Sequence, residues 1–264
     1  MLMSDFLTTR RSVRTFKNKK IDQKSLDGVQ DLLDRVNPQM LEAGYFLYAN
    51  GDEMYKKLEG KAGYGGVMIK APAYIALVTR EEVPEAYIYG AYYLEKVITS
   101  LKKFNLASCW VTLQRLPDDE AIATFGEVNG RIMYLLAIGY PPRDLNIGKA
   151  TYSSRIGIQD YVFKEKFGQP MDIDELEQMG LADLFYYLRL APSSYNNQPW
   201  RFVIDGHRIE LYSKQPAHID EFVDMGIILF YFDSLAQTLG IRPEWTIDIK
   251  KMDGDYEYIG EVNI

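Results

Sequence analysis

The segment Arg10-Arg11-Ser12-Val13-Arg14 sets three guanidinium groups and a hydroxyl close together near the start of an acidic chain. Guanidinium makes paired, charge-assisted hydrogen bonds to phosphate oxygens, and a nearby hydroxyl adds a donor, so the chemistry on offer is anion binding. A short basic run near a terminus is also what a solvated surface looks like. Far along the chain, Ala191-Pro192-Ser193-Ser194-Tyr195-Asn196-Asn197-Gln198-Pro199-Trp200-Arg201-Phe202 concentrates hydroxyl and amide side chains between two prolines. Such groups offer donors and acceptors to polyol hydroxyls or to the edge of a heterocycle, while the prolines restrict the backbone that presents them. Ser, Asn and Pro favour turns for local reasons as well. A run this long, ending in Gln-Pro-Trp, is more than a turn requires.

The rest of the composition removes competing chemistries. With 264 residues, 47% hydrophobic and 25% charged, the chain belongs with globular proteins able to bury a core. A net charge of −7 argues against nucleic acid as a partner, since phosphate backbones are bound by concentrated basic surface. Only His207 and His218 could act as imidazole bases, which leaves little room for Ser-His or Cys-His nucleophiles. The single Cys109 excludes a disulfide framework or a multi-cysteine metal site and points to a reducing compartment. Apolar runs such as Ile227 to Phe232 are far short of the ~20 residues that span a bilayer. Met1 to Leu7 lacks the pattern of a secretory signal, so no membrane association and a cytoplasmic location are expected.

The elements that must position the two polar stretches alternate between helical and extended patterns. Asp22 can cap a helix carrying Leu26, Val29, Leu32 and Leu33. An extended Tyr45-Phe46-Leu47-Tyr48, a turn at Asn50-Gly51, a glycine-rich loop from Gly60 to Gly66 and a strand from Ala73 to Val78 follow. Tyr87, Ala91, Leu94, Ile98 and Leu101 recur on one helical face. Asn105 can end that helix in the left-handed region, before a buried strand at Ser108 to Leu113. Pro117-Asp118-Asp119-Glu120 has the chemistry of a helix start, and Arg131 to Gly139 reads as a closing strand.

This order then repeats. Ile173-Asp174 opens a helix as Ile21-Asp22 does, and Ile228, Phe232, Leu235 and Leu239 mark a second long apolar helix. Gly240-Ile241-Arg242-Pro243-Glu244-Trp245 stands where Asn105-Leu106-Ala107-Ser108-Cys109-Trp110 stood, and Tyr256 to Asn263 makes the last strand. The expectation is an α+β chain of two related halves, residues 1–158 and 159–264, packed as a pseudo-dimer around antiparallel-rich sheets. Any α+β chain shows some alternation of this kind.

At this point the sequence resembles the nitroreductase family of FMN-dependent NAD(P)H oxidoreductases. Arg10-Arg11-Ser12-Val13-Arg14 is similar to that family's N-terminal flavin-phosphate motif, and Pro192-Ser193-Ser194-Tyr195-Asn196-Asn197-Gln198-Pro199-Trp200 is similar to its Pro-Ser-Ser-x-Asn-x-Gln-Pro-Trp segment. Leu106-Ala107-Ser108-Cys109-Trp110 with Ala137-Ile138-Gly139-Tyr140-Pro141 resembles its core strand and closing Gly-Tyr-Pro. The order departs from the family, where the Ser-Ser-x-Asn loop follows the arginine motif within a few tens of residues. Here Pro38 to Phe46 stands in that place without the Ser and Asn groups. Ordinary members place the flavin at a homodimer interface, so the resemblance implies one chain that carries both contributions, one FMN per chain and a monomer.

Residue by residue, the resemblance implies Arg10, Arg11, Ser12 and Arg14 around the phosphate and ribityl end. Arg155 would add a cation, with Lys149 as the alternative and a solvated surface as the plain reading. Pro192, Ser193, Ser194 and Asn196 would contact the ring and ribityl portions, and Val111, Thr112, Leu113 and Gln114 stand where the family makes backbone contact near flavin N5, with a buried strand end as the plain reading. No side chain is expected to act as a catalytic acid or base, and no metal is expected. NADH or NADPH would reduce the flavin, which would pass hydride to a small-molecule acceptor such as a nitroaromatic, a quinone or another flavin. The alternatives are a flavin-binding carrier or regulatory protein without turnover, and a flavin-free relative that binds a partner.

Several other residues have plain readings. Gly60 to Gly66 lacks the Lys-Ser/Thr ending of a phosphate loop and reads as a mobile loop. Cys109 reads as a buried small hydrophobe, His218 as a loop residue, and Asp172, Asp174, Glu175 and Glu177 as charges that suit a helix start.

Overall fold

The structure is a computed structural model that describes residues 2–63, 66–113, 116–142, 154–214, 217–251 and 254–264. The chain forms two compact units, Arg11–Lys149, and Met1–Arg10 with Ala150–Ile264. The first helix, α1 (Met3–Thr9), therefore belongs with the later part of the chain. The unit boundaries differ from a division at 158/159, because α1 buries Phe6 and Leu7 and packs with helices of the second unit.

In the unit Arg11–Lys149 the elements are α2 (Gln23–Val36), β1 (Ala43–Tyr48), α3 (Gly51–Leu58), β2 (Ala73–Thr79), α4 (Pro84–Leu101), β3 (Ala107–Thr112), α5 (Asp118–Phe125) and β4 (Arg131–Gly139). All strand pairings are antiparallel, in the order β1-β2-β4-β3. Tyr74, Ala76 and Val78 of β2 pack into a core with Met54 and Leu58 of α3 and Phe125 of α5. On the other face Leu77 approaches Gly90 of α4 so closely that a Cβ there would lie 2.7 Å from a Leu77 methyl. Helices thus cover β2 on both faces, and its sequence is a continuous apolar run instead of an alternation. Tyr87, Ala91, Leu94, Ile98 and Leu101 are buried along α4, as their spacing predicts.

Helix ends follow local chemistry. Asp22 caps α2 by accepting the Ser25 N–H at 2.9 Å. Asn50 caps α3 by accepting from Glu53, so Asn50-Gly51 starts a helix where a turn is expected. After α4, Asn105 is left-handed at φ 55°, and the Leu106 N–H returns to the Leu101 carbonyl at 3.1 Å. β3 is an edge strand, half-buried instead of fully buried, although Cys109 and Val111 point inward.

In the second unit follow β5 (Val162–Lys164), α6 (Ile173–Gln178), α7 (Ala182–Leu188), β6 (Trp200–Asp205), β7 (Arg208–Lys214), α8 (Ile219–Thr238), β8 (Thr246–Lys251) and β9 (Tyr256–Asn263). The sheet order is β5-β6-β7-β9-β8, with β5 parallel to β6 and the remaining pairs antiparallel. One face carries an aromatic core in which Phe202 lies 5.4 Å from Phe185 and 5.9 Å from Phe232, ring centre to ring centre. The other face carries Phe163, Val203 and Tyr212. α8 is buried from Phe222 to Phe232, though Leu239, expected in its apolar stripe, caps its end and is exposed. His218 lies outside the helices and strands, as expected, and is the N-cap of α8. The cap of α6 is Asp172, which accepts the Asp174 N–H, so the parallel with Ile21-Asp22 is displaced.

Set side by side, the antiparallel parts of the two sheets share one plan. Counting from β1 and from β6, strands one, two, four and three are neighbours, as β1-β2-β4-β3 and β6-β7-β9-β8, with the long helix joining the second strand to the third. The second and fourth strands of each unit slip register once, at Leu77/Val78 and at Leu211/Tyr212. Both long helices end in a left-handed residue, Asn105 or Gly240. The indoles of Trp110 and Trp245 each donate to a carboxylate of the preceding long helix, Glu95 and Asp233, both at 2.9 Å. No helix among the described residues is long and apolar enough to cross a membrane.

Candidate functional site

The polar stretch after α7 becomes a tightly tied loop leading into β6. Ser194–Asn196 forms a single 3-10 turn, preceded by an extended Ser193 at φ −142°. Three non-glycine residues here are left-handed, Tyr195 at φ 50°, Asn196 at φ 61° and Gln198 at φ 48°. Asn tolerates this region, whereas Tyr and Gln pay a steric cost in it. Such a backbone persists only where its surroundings over-determine it, and such places cluster at binding sites.

The ties come from three directions. Within the loop, Ser193 Oγ accepts the Gln198 N–H at 2.9 Å. From α8, both carboxylate oxygens of Asp224 lie within reach of the Ser194 N–H, at 2.9 and 3.1 Å. From β6, buried Arg201 donates to the Gln198 carbonyl at 3.1 Å. Burial holds the Arg201 guanidinium below its ordinary pKa.

The segment carrying Arg155 is stitched to the same loop. Asn196 donates to the Ser154 carbonyl at 2.9 Å, and Gln198 accepts the Ile156 N–H at 3.0 Å. Arg155 itself donates to the Asn196 side-chain oxygen and, at 3.2 Å, to the Leu190 carbonyl. Its Nε is buried and finds no hydrogen-bond partner among the described residues. Burial first, and then the like charge of Arg10, hold Arg155 below its ordinary pKa. Two guanidiniums that feel one another, one with a buried unused donor, form a site that gains from an anion, which would offset both penalties.

Among the residues expected from sequence, the structure therefore brings together Arg10, Arg155, Ser193, Ser194 and Asn196 within one unit, with Pro192 half-buried beside them in sequence. The chain passes into the other unit after Arg10, inside the basic motif. There Arg11, Ser12 and Arg14 are exposed, while Val13 is buried and donates its N–H to Ser108 at 2.9 Å. Thr112 is exposed at the end of β3, with its carbonyl accepting the Gly63 N–H at 2.8 Å, and Leu113 is buried and bridges to Ala62. Gln114, Lys149 and part of the Gly60 to Gly66 loop lie outside the described residues. Asp224, Gln198 and Arg201 were absent from the expected contacts. The signal for Asp224 was available, since it stands alone as an acid in the apolar run Phe222 to Phe232.

Comparison with known proteins agrees with this architecture. The family profile described as "Putative TM nitroreductase" matches residues 3–236, and the chain belongs to that nitroreductase family. A "putative nitroreductase" from Thermotoga maritima MSB8 is similar over 98% of this chain and 94% of its own, with 21% identity and a TM-score of 0.60, so it shares the fold. An FMN-dependent nitroreductase from Clostridium difficile R20291 matches over 66% of this chain and 94% of its own, with 13% identity and a TM-score of 0.42. Nitroreductase A from Vibrio parahaemolyticus RIMD 2210633 matches over 70% of this chain and 86% of its own, with 12% identity and a TM-score of 0.47. No curated protein matches the chain.

Proposed function

We propose that this chain is an FMN-dependent oxidoreductase that takes electrons from NADH or NADPH and delivers them to a small acceptor such as a nitroaromatic, a quinone or a free flavin. Membership of the nitroreductase family supports the oxidoreductase class. The observation that carries the flavin reading is Arg155, which clamps Asn196 while holding a buried Nε–H that has no hydrogen-bond partner among the described residues, beside a second guanidinium, Arg10.

The residues present fit FMN. Arg10 and Arg155 offer cationic donors suited to a phosphate or to negative charge on a reduced ring. Asn196, Ser193 and Ser194 offer hydroxyl and amide groups suited to ribityl hydroxyls and a heterocycle edge. The family resemblance assigns Arg11, Ser12 and Arg14 to the phosphate end, and Thr112, Leu113 and Pro192 to the ring. When bound, FMN supplies the reversible two-electron chemistry. The chain's own work is to hold that group, orient it through a loop whose backbone is fixed on three sides, and place positive charge beside it. The shared strand order, bulge and helix ending of the two units support an internal duplication. We propose with it that one chain carries both motif sets and is a monomer.

Anaerobic mixing of the FMN-reconstituted protein with NADH or NADPH tests the turnover part. Bleaching of the oxidised-flavin band within seconds, followed by its return on adding a quinone, is expected. Bound flavin that neither nucleotide bleaches would leave a carrier and remove the enzyme.

A further inference from the structure

Asp224 is 2% exposed, yet it has no ion-pair partner among the described residues. An isolated buried carboxylate is costly, so burial pushes its pKa well up, helped by Asp220 and Glu221 on the same helix. A helix position facing the core would ordinarily hold an apolar residue, as its neighbours Val223 and Met225 do. The chain instead places there an acid whose one hydrogen-bond partner among the described residues is the Ser194 N–H.

That N–H opens the 3-10 turn, immediately before the left-handed Tyr195 and Asn196. The first N–H groups of a turn have no partner inside it. Without Asp224 this one would be orphaned next to the strained residues, and the turn could relax toward ordinary backbone angles. Asn196 would then leave the register in which it meets Arg155 and the Ser154 carbonyl.

We infer that Asp224 is a positioning residue for the flavin-binding loop: from α8 it fixes the Ser194 N–H and thereby the backbone that presents Ser194 and Asn196. The inference rests on the FMN reading for its effect on binding, but its structural half stands apart from it. What matters is an acceptor at this position, not a charge, so the side-chain amide of Asp224→Asn can take over while Asp224→Leu cannot.

The test measures two things in the full chain: FMN affinity by titration of flavin fluorescence, and amide hydrogen exchange of the segment containing Ser194. Asp224→Asn should keep affinity within about threefold and retain slow exchange. Asp224→Leu should weaken FMN about tenfold or more, shift the flavin absorption band and speed exchange at Ser194, with the far-UV circular dichroism unchanged. Should Asp224→Leu fail to fold, the donor can be removed instead. Ser194→Pro deletes the N–H behind an extended Ser193, as proline requires, and it should lose clearly more affinity than Ser194→Ala, which keeps the N–H. Equal behaviour of Asp224→Asn and Asp224→Leu, or of the two Ser194 variants, would overturn the inference. If the parent protein binds no FMN the functional reading fails, and hydrogen exchange alone then decides for or against Asp224.

Discussion

Gln198 accepts the Ile156 N–H on its side-chain oxygen at 3.0 Å. The same amide donates to the carbonyls of Asn196 at 3.1 Å and Ser154 at 3.3 Å, so one buried side chain ties the residues flanking Arg155 to the loop. Replacing it with Gln198→Leu removes these bonds and takes their partner from the half-buried Ile156 N–H and Asn196 carbonyl. That should cost about 2–4 kcal/mol of stability and weaken FMN at least tenfold, because Arg155 loses its register with Asn196. Urea denaturation and flavin titration of the variant check both effects.

Tyr195 holds φ 50° and is 64% exposed, so its backbone strain is not repaid by burial. Glycine has no Cβ to clash there, whereas a β-branched residue clashes more. Tyr195→Gly should leave the melting temperature unchanged or raise it, since relief of strain offsets the entropy of the added glycine. Tyr195→Val should lower stability by about 1–2 kcal/mol. Thermal melts of the pair followed by circular dichroism would show the ordering.

Much of this architecture was legible because it follows from local chemistry. Asn105 is read as a helix terminator from residue type alone, and it is left-handed, as is Gly240 in the matching segment. The period of α4 and the caps at Asp22 and Pro117 are equally local. What stayed hidden depends on distant contacts. α1 joins the later unit through tertiary packing, and Gly51 at the start of α3 donates its N–H to the distant Pro72 carbonyl at 3.0 Å. In the loop the residue types of Ser193, Ser194 and Asn196 announced polar chemistry. The ties from Asp224 and Ile156 come from elements far away in sequence, which no spacing rule reports, and the tie from Arg201 depends on its buried side chain turning back to the Gln198 carbonyl.

The Tyr140 hydroxyl donates to the Asp22 carboxylate, giving the Gly-Tyr-Pro segment a structural task at the start of α2. This bond first, then those from Ser25, hold the Asp22 pKa down from 3.8 to about 2. For a depressed carboxylate the linked stability is present above the unfolded pKa and is lost as pH falls through the folded one, here between 3.8 and about 2. Tyr140→Phe should move the Asp22 titration back toward 3.8, lower the melting temperature near neutral pH and make no difference below about 2. Carboxyl chemical shifts across an acid titration, with melts at both extremes, test the sign.

Flavin retention bears most directly on the proposed function. The purified protein, reconstituted with FMN and freed of excess, should show an oxidised-flavin absorption spectrum at close to one FMN per chain. Arg155→Leu should lose most of that flavin, since it removes both the clamp on Asn196 and the cation beside Arg10. A parent protein that takes up no FMN under any condition, or an Arg155→Leu variant that holds it as tightly as the parent, would contradict the site assigned here.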